Sequence, residues 1–290
     1  MTVWDLGAVI VKASLYAATL AAAGGVFFLY YCNADLEGPE RRSLSRAVLM
    51  LIAASVLAGA ARMLVTAGSM SGDAAGALDP DLVGMVWRAG EGQAFAVRAV
   101  GWLFAVPVLF YHRRPGATAI AGAAGAATSF CWTSHAHATG AGWPVLLMSV
   151  HLVCAAFWIG ALWPLLKLTR CGDARRIASA AHRFGRAAAG AVCALLVSGM
   201  LVLWKLLGTV PQLWESSYGR TACVKLSLVA LLLACAAFNK LRLTPRLLAG
   251  DAAAARSLRL SISAELMLAA LILTATAALT TLGGPPAMGG

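Results

Sequence analysis

The sequence predicts an all-α polytopic integral membrane protein, a bundle of eight transmembrane helices, and three observations predict it. Of the 290 residues 60% are hydrophobic and only 12% charged, with a mean hydropathy of +0.78, whereas soluble domains carry about 25% charged residues. The apolar residues gather in runs of roughly 20, the length a helix needs to cross a hydrocarbon core about 30 Å thick. Lys and Arg, finally, concentrate in alternate connections between those runs, as they do where loops face the cytoplasm.

Span 1 is expected over 7–31. Met1–Leu6 holds Asp5 and no Lys or Arg, so this run reads as a full-length span and not as a cleaved signal. Span 2 (46–69) follows Arg41, Arg42 and Arg46. Span 3 (92–111) carries Pro107 and span 5 (143–166) carries Pro164, where kinks are expected. Span 4 (117–134) is rich in small residues around Gly122–Ala127, which let helices approach closely in lipid. Spans 6 (184–207), 7 (220–240) and 8 (262–282) complete the bundle. The chain reads as one membrane domain, with a three-span segment over 1–116 and a five-span segment over 117–290.

Connections 1–2, 3–4, 5–6 and 7–8 hold 16 of the 23 Lys and Arg residues, while loop 2–3 has only Arg88. Both termini are therefore expected outside. The net charge of +11 reads as an orientation signal with lipid contacts, and no nucleic-acid partner is needed. No GxxxxGK[ST], no HExxH and no intramembrane acid pair occurs, which argues against an ATP-driven pump, a protease and enzymes generally. The seven cysteines are odd in number, form no CxxC and lie mostly in apolar runs. They do not read as a disulfide framework or a zinc ribbon.

The histidines carry the chemical signal. His112 and His182 fall in basic loops and read as interfacial residues. His135 and His137 fall in the uncharged hairpin between spans 4 and 5, and His151 lies inside span 5, where an ionisable residue marks function by default. Met148, His151 and Cys154 step by three along span 5, and Cys131 precedes His135 by four. Imidazole with soft sulfur suits copper, Cu(I) more than Cu(II). For Cys131 and Cys154, packing competes with ligation.

Four basic residues fall inside the outer half of the spans: Lys12, Arg62, Arg98 and Lys225. Either they pair with Asp5, Glu91, Glu215 or freed carbonyls, or they form an anion-attracting pocket. Glu265, near the inner end of span 8, either pairs or marks an inner exit, and with Asn239 it is a candidate inner-side polar site.

The run His151-Leu-Val-Cys-Ala-Ala-Phe-Trp158-Ile-Gly160-Ala-Leu resembles the His…Trp-x-Gly-x-Leu signature of the copper resistance protein D family, and Ser134-His135-Ala136 is similar to its small-residue-His-Ala segment. Tyr218-Gly219-Arg220 with Lys225, then Asn239, Glu265 and Pro285-Pro286, follow that family's C-terminal pattern. The resemblance implies an eight-span bacterial inner-membrane protein that takes copper up from the periplasm beside a separate CopC-like copper-binding partner. It extends to His135 and His151 as site residues, with His137 added by proximity. Two rival readings stay open at this point: a membrane docking or sensing partner that moves no metal, and a haem- or quinone-binding electron-transfer protein.

Overall fold

The computed structural model describes residues 2–111, 114–133, 142–171, 173–207, 211, 217–251 and 253–282. The described residues are all-helical. The α-helices are α1 (Val3–Tyr31), α2 (Gly38–Ser71), α3 (Pro80–Arg88), α4 (Gly90–Phe110), α5 (Ala117–Thr128), α6 (Gly142–Trp158), α7 (Leu162–Cys171), α8 (Ala174–Leu207), α9 (Ser217–Phe238), α10 (Thr244–Leu248) and α11 (Ala253–Leu282). Seven stretches among the described residues are long and apolar enough to cross a membrane. They are α1, α2, α4, α6 with α7, α8, α9 through α10, and α11.

The expected fourth span is the exception to the length rule. It is a 12-residue α-helix followed by a five-residue 3-10 turn over Ser129–Thr133. Its hydroxyls explain the tightening. Thr128, Ser129 and Thr133 each donate to the carbonyl three residues back, which competes with the α-helical ladder. The expected bends also resolve differently at the two prolines. Pro107 stays within α4, close to its end, while the break in the fifth span is the turn at 159–161, ahead of Pro164. The connection after α2 contains α3, which Asp79 caps by accepting from the Asp81 and Leu82 amides, with Pro80 as first residue.

α1 is the central helix. Thr2 and Asp5 close a capping box at its start, and its second half buries an unbroken run from Ala22 to Leu29. Small residues bring the neighbours close. A Cβ on Gly24 would collide with the backbone of Gly160 and Ala156, and one on Gly101 with the Gly122 carbonyl. These are the crossings of α1 with the α6–α7 turn and of α4 with α5. Between α1, α2 and α4 lies a dry polar knot: Thr19 and Ser55 hydroxyls 2.7 Å apart, with the Trp102 indole donating to Ser55 at 3.4 Å. Side-chain hydrogen bonds of this kind fix helix rotation in lipid.

The two ends of the bundle differ in charge. At one end Trp4 donates to the Gly72 carbonyl and Lys12 to the Thr280 carbonyl, so the start of α1 lies beside the end of α11. At the other, Arg176 meets Glu37, Glu40 and Asp173, and Arg183 meets Asp35. Nearby, the Arg246 guanidinium beside Asp251, helped by the Ala253 amide, holds that carboxyl below the usual carboxylate range. The basic connections of the sequence gather at this second end.

Candidate functional site

His151 lies in the middle of α6 and is half-buried against α8. Its Nδ1 is 3.2 Å from the Leu195 carbonyl, and the Ser198 hydroxyl stands 3.4 Å from the same nitrogen. The carbonyl can only accept, so it selects the tautomer with the proton on Nδ1 and leaves the Nε2 lone pair for a metal. A ligating histidine is held in this way by a backbone carbonyl or carboxylate behind it. Gly199 permits the contact, because a Cβ there would come within 3.0 Å of the imidazole Cε1. Lys225 of α9, half-buried, lies within electrostatic reach of His151.

Met148 and Cys154 flank His151 along α6, both half-buried. At 100° per residue each is about 60° around the helix from His151, on opposite sides. Cys131 is held elsewhere. Its thiol is directed at the Val145 carbonyl and the Ser149 hydroxyl, 3.9 and 3.5 Å away, on a face of α6 well removed from His151. Among the described residues no three His, Cys, Asp or Glu side chains come together as a metal-binding group. His135 and His137 lie outside the described residues, as does Glu215.

The basic residues resolve into a cluster of three and one apart. Arg62 pairs with Glu91 at 3.1 Å. Arg98, 3% exposed, donates to Ser129 at 3.1 Å and stacks over Phe130 with 4.8 Å to the ring centroid. Lys12, 7% exposed, donates to the Thr280 carbonyl. Partners therefore exist for all three, in part the ones expected: Glu91 and a backbone carbonyl. Tyr16 packs edge-on against Phe130 beside them. Lys225 belongs to the His151 region and not to this cluster.

Glu265 is 2% exposed and accepts from the Asn239 amide at 2.7 Å. Asn239 opens a π-helical turn over Asn239–Leu243, and its Oδ1 is buried with no hydrogen-bond partner among the described residues. Such turns within a helix often accompany functional sites.

The family follows from both halves of the chain. The family model for the copper resistance protein D-like N-terminal domain matches residues 1–145, and that for copper resistance protein D matches 178–279. The chain belongs to the copper resistance protein D family. It is thus a copper-resistance, transport-related membrane protein. The matched parts of this copper resistance protein D chain carry Lys12, Arg62, Arg98 and Cys131 in the first and Lys225, Asn239 and Glu265 in the second, while Met148, His151 and Cys154 fall between them. No curated protein and no solved structure matches the chain.

Leu195, Ser198 and Gly199, which hold the His151 ring, were not singled out by sequence reasoning. The Ser198-Gly199 pair, small and polar within an apolar run opposite a buried histidine, was the available signal.

Proposed function

We propose that this protein carries copper inward across the bacterial inner membrane, by a route between helices that passes His151. One observation supports this reading above the others: an intramembrane histidine whose Nδ1 is engaged by the Leu195 carbonyl and whose Nε2 is thereby presented for a soft metal. Copper is the cargo, and Cu(I) fits the thioether of Met148 and the thiol of Cys154 on either side of the ring better than Cu(II) does. His135 and His137 take copper at the outer mouth, from a CopC-like periplasmic protein, and Cys131 is a subsidiary ligand. Eight crossings with both termini periplasmic accord with the contact between Lys12 and Thr280, since chain ends on one side require an even number. The segment 117–133, short as it is, makes the fourth crossing. Asn239 and Glu265 serve as a polar step toward the inner side.

The alternative of docking or sensing without transport separates cleanly. Copper accumulation is compared in cells expressing the intact chain, His135→Ala/His137→Ala, and His151→Ala, at equal membrane levels of protein. Transport by this route lowers accumulation in both variants. Accumulation equal to that of the intact chain in the His151→Ala strain would remove His151 from the route. The haem reading is less well served, since a bis-His site needs two imidazoles at similar depth, and His182 lies on the basic end of the bundle, away from His151.

A further inference from the structure

At the basic end of the bundle lies an open cavity of about 610 Å³ whose lining includes Tyr30, Tyr31, Arg114, Arg183, Arg186 and Leu248. It is formed where the end of α1, the residues before α5, two turns of α8 and α10 meet. Its charge is unbalanced. The Asp35 carboxylate pairs with one of its arginines, being engaged by the Ser179 hydroxyl at 2.7 Å and by Arg183 at 3.4 Å. Arg114 stacks over the Tyr30 ring, with 4.7 Å to the centroid. Neither Arg114 nor Arg186 has a carboxylate partner among the described residues.

The contrast within α8 shows that this imbalance is local. Two turns earlier, Arg176 is surrounded by Glu37, Glu40 and Asp173, three acids for one cation. Among the described residues, three guanidinium groups line the cavity and one carboxylate, Asp35, pairs with them. Guanidinium groups that line one pocket attract an anion between them, and their planar donor forks match phosphate oxygens in pairs. Tyrosines mark head-group depth in membrane proteins, and Tyr30 and Tyr31 form one wall here. Leu248 and Tyr30, both exposed, give that wall an apolar edge.

We infer that this cavity is a binding site for a phosphate-bearing anion, held by Arg114, Arg183 and Arg186. Basic pockets between helices at a membrane surface take anionic head groups in this way. The site stands apart from the proposed copper route, and its ligand has two sources: the head group of an acidic phospholipid, or a free phosphate from the aqueous side. The inference does not depend on copper being moved.

The test uses the full-length protein in detergent and in nanodiscs. Arg114→Gln/Arg186→Gln removes the two cavity arginines that have no acid partner. Arg42→Gln/Arg46→Gln removes two exposed charges outside the cavity and controls for net charge. Binding of phosphatidylglycerol against phosphatidylcholine is measured by native mass spectrometry, and binding of inorganic phosphate by calorimetry. The cavity variant is expected to lose about 30-fold in affinity for one probe, at roughly tenfold or less per arginine, with the control within threefold of the intact protein. Loss for phosphatidylglycerol identifies a lipid site, and loss for phosphate alone identifies a soluble anion. If the cavity variant and the control bind both probes alike, or the intact protein binds neither, the inference is overturned.

Discussion

Helices α1, α2, α4 and α5 and the pair α8–α9 are built of similar residues and packed differently. In α1 the second half is buried throughout, and α1, α2, α4 and α5 are drawn together at glycines and by the Thr19–Ser55–Trp102 knot. α8 and α9 have no such run among their described residues and display large apolar side chains outward, among them Leu196, Val197, Met200 and Leu201 on α8 and Val224 and Leu231 on α9, as α2 and α4 also do at Leu57 and Leu103. Gly185 and Gly190 of α8 have open space where a Cβ would go. α1 is thus the buried centre of the bundle, and the later turns of α8 together with α9 lie at its periphery. His151 lies on the seam between α6 and that periphery, which is where relative helix movement would open or close a route. The difference separates a buried centre that holds the bundle together from a periphery against which His151 is placed.

That division is most exposed to test at its glycines. Gly24→Val places two methyl groups against the backbone of Gly160 and Ala156, neither of which can give way, and should cost about 3 kcal/mol or more. Detergent-solubilised protein should lose its monodisperse peak on size exclusion. Gly190→Val, the same change on α8, should leave the peak and the melting temperature unchanged. Equal damage from both would abolish the distinction between centre and periphery.

Next in size is Gly199→Val. A side chain there crowds the His151 ring from α8, so copper transport should fall on the order of tenfold through misplacement of the ligand, with thermal stability close to that of the intact protein. Transport at the intact rate would mean that the ring's position against α8 is not used.

The smallest effect is expected at the knot. Ser55→Ala removes a hydroxyl shared by Thr19 and Trp102 and should lower stability by about 1 kcal/mol, read as a modest drop in melting temperature. Copper transport per folded molecule should not change. A larger loss of transport than of stability would tie the core to function directly.

Most of the bundle was legible from the sequence because hydrophobic length and loop charge are one-dimensional signals. The apolar runs at 7–31 and 46–69 fall inside α1 and α2, and the basic connections do gather at one end. The tightening at Ser129 was not legible, since it turns on which of two carbonyls a hydroxyl chooses. The turn at 159–161 was only half legible: Gly160 was noticed within the Trp158-Ile-Gly160 run, but its reason, the close approach of α1, comes from a residue more than 130 positions away. α3 lies in what the charge pattern treats as loop 2–3, and its signal is the Asp79-Pro80 cap.

The site was legible in its residue types and not in its geometry. His151 stands out from sequence because a bilayer makes ionisable residues costly. What the ring faces depends on the rotation of α6, which is set by packing against Leu195 and Gly199. The same rotation turns Cys131 toward Ser149 and separates it from His151, though spacing alone let the two share a hairpin. Glu91 stood among several expected partners for the four basic residues, and the structure pairs it with Arg62, while Asn239 and Glu265, expected together as an inner-side polar site, are joined by a hydrogen bond that no periodicity signals.

The central claim is that copper moves past His151. The most direct measurement is Cu(I) flux into proteoliposomes under reducing conditions, with the intact protein and His151→Ala reconstituted at equal density. The account predicts robust flux for the intact protein and, for the variant, a rate near that of protein-free liposomes, with an unchanged melting temperature. Flux through His151→Ala at the intact rate would contradict it, and absence of flux from folded, copper-binding intact protein would leave docking of a periplasmic copper protein as the function.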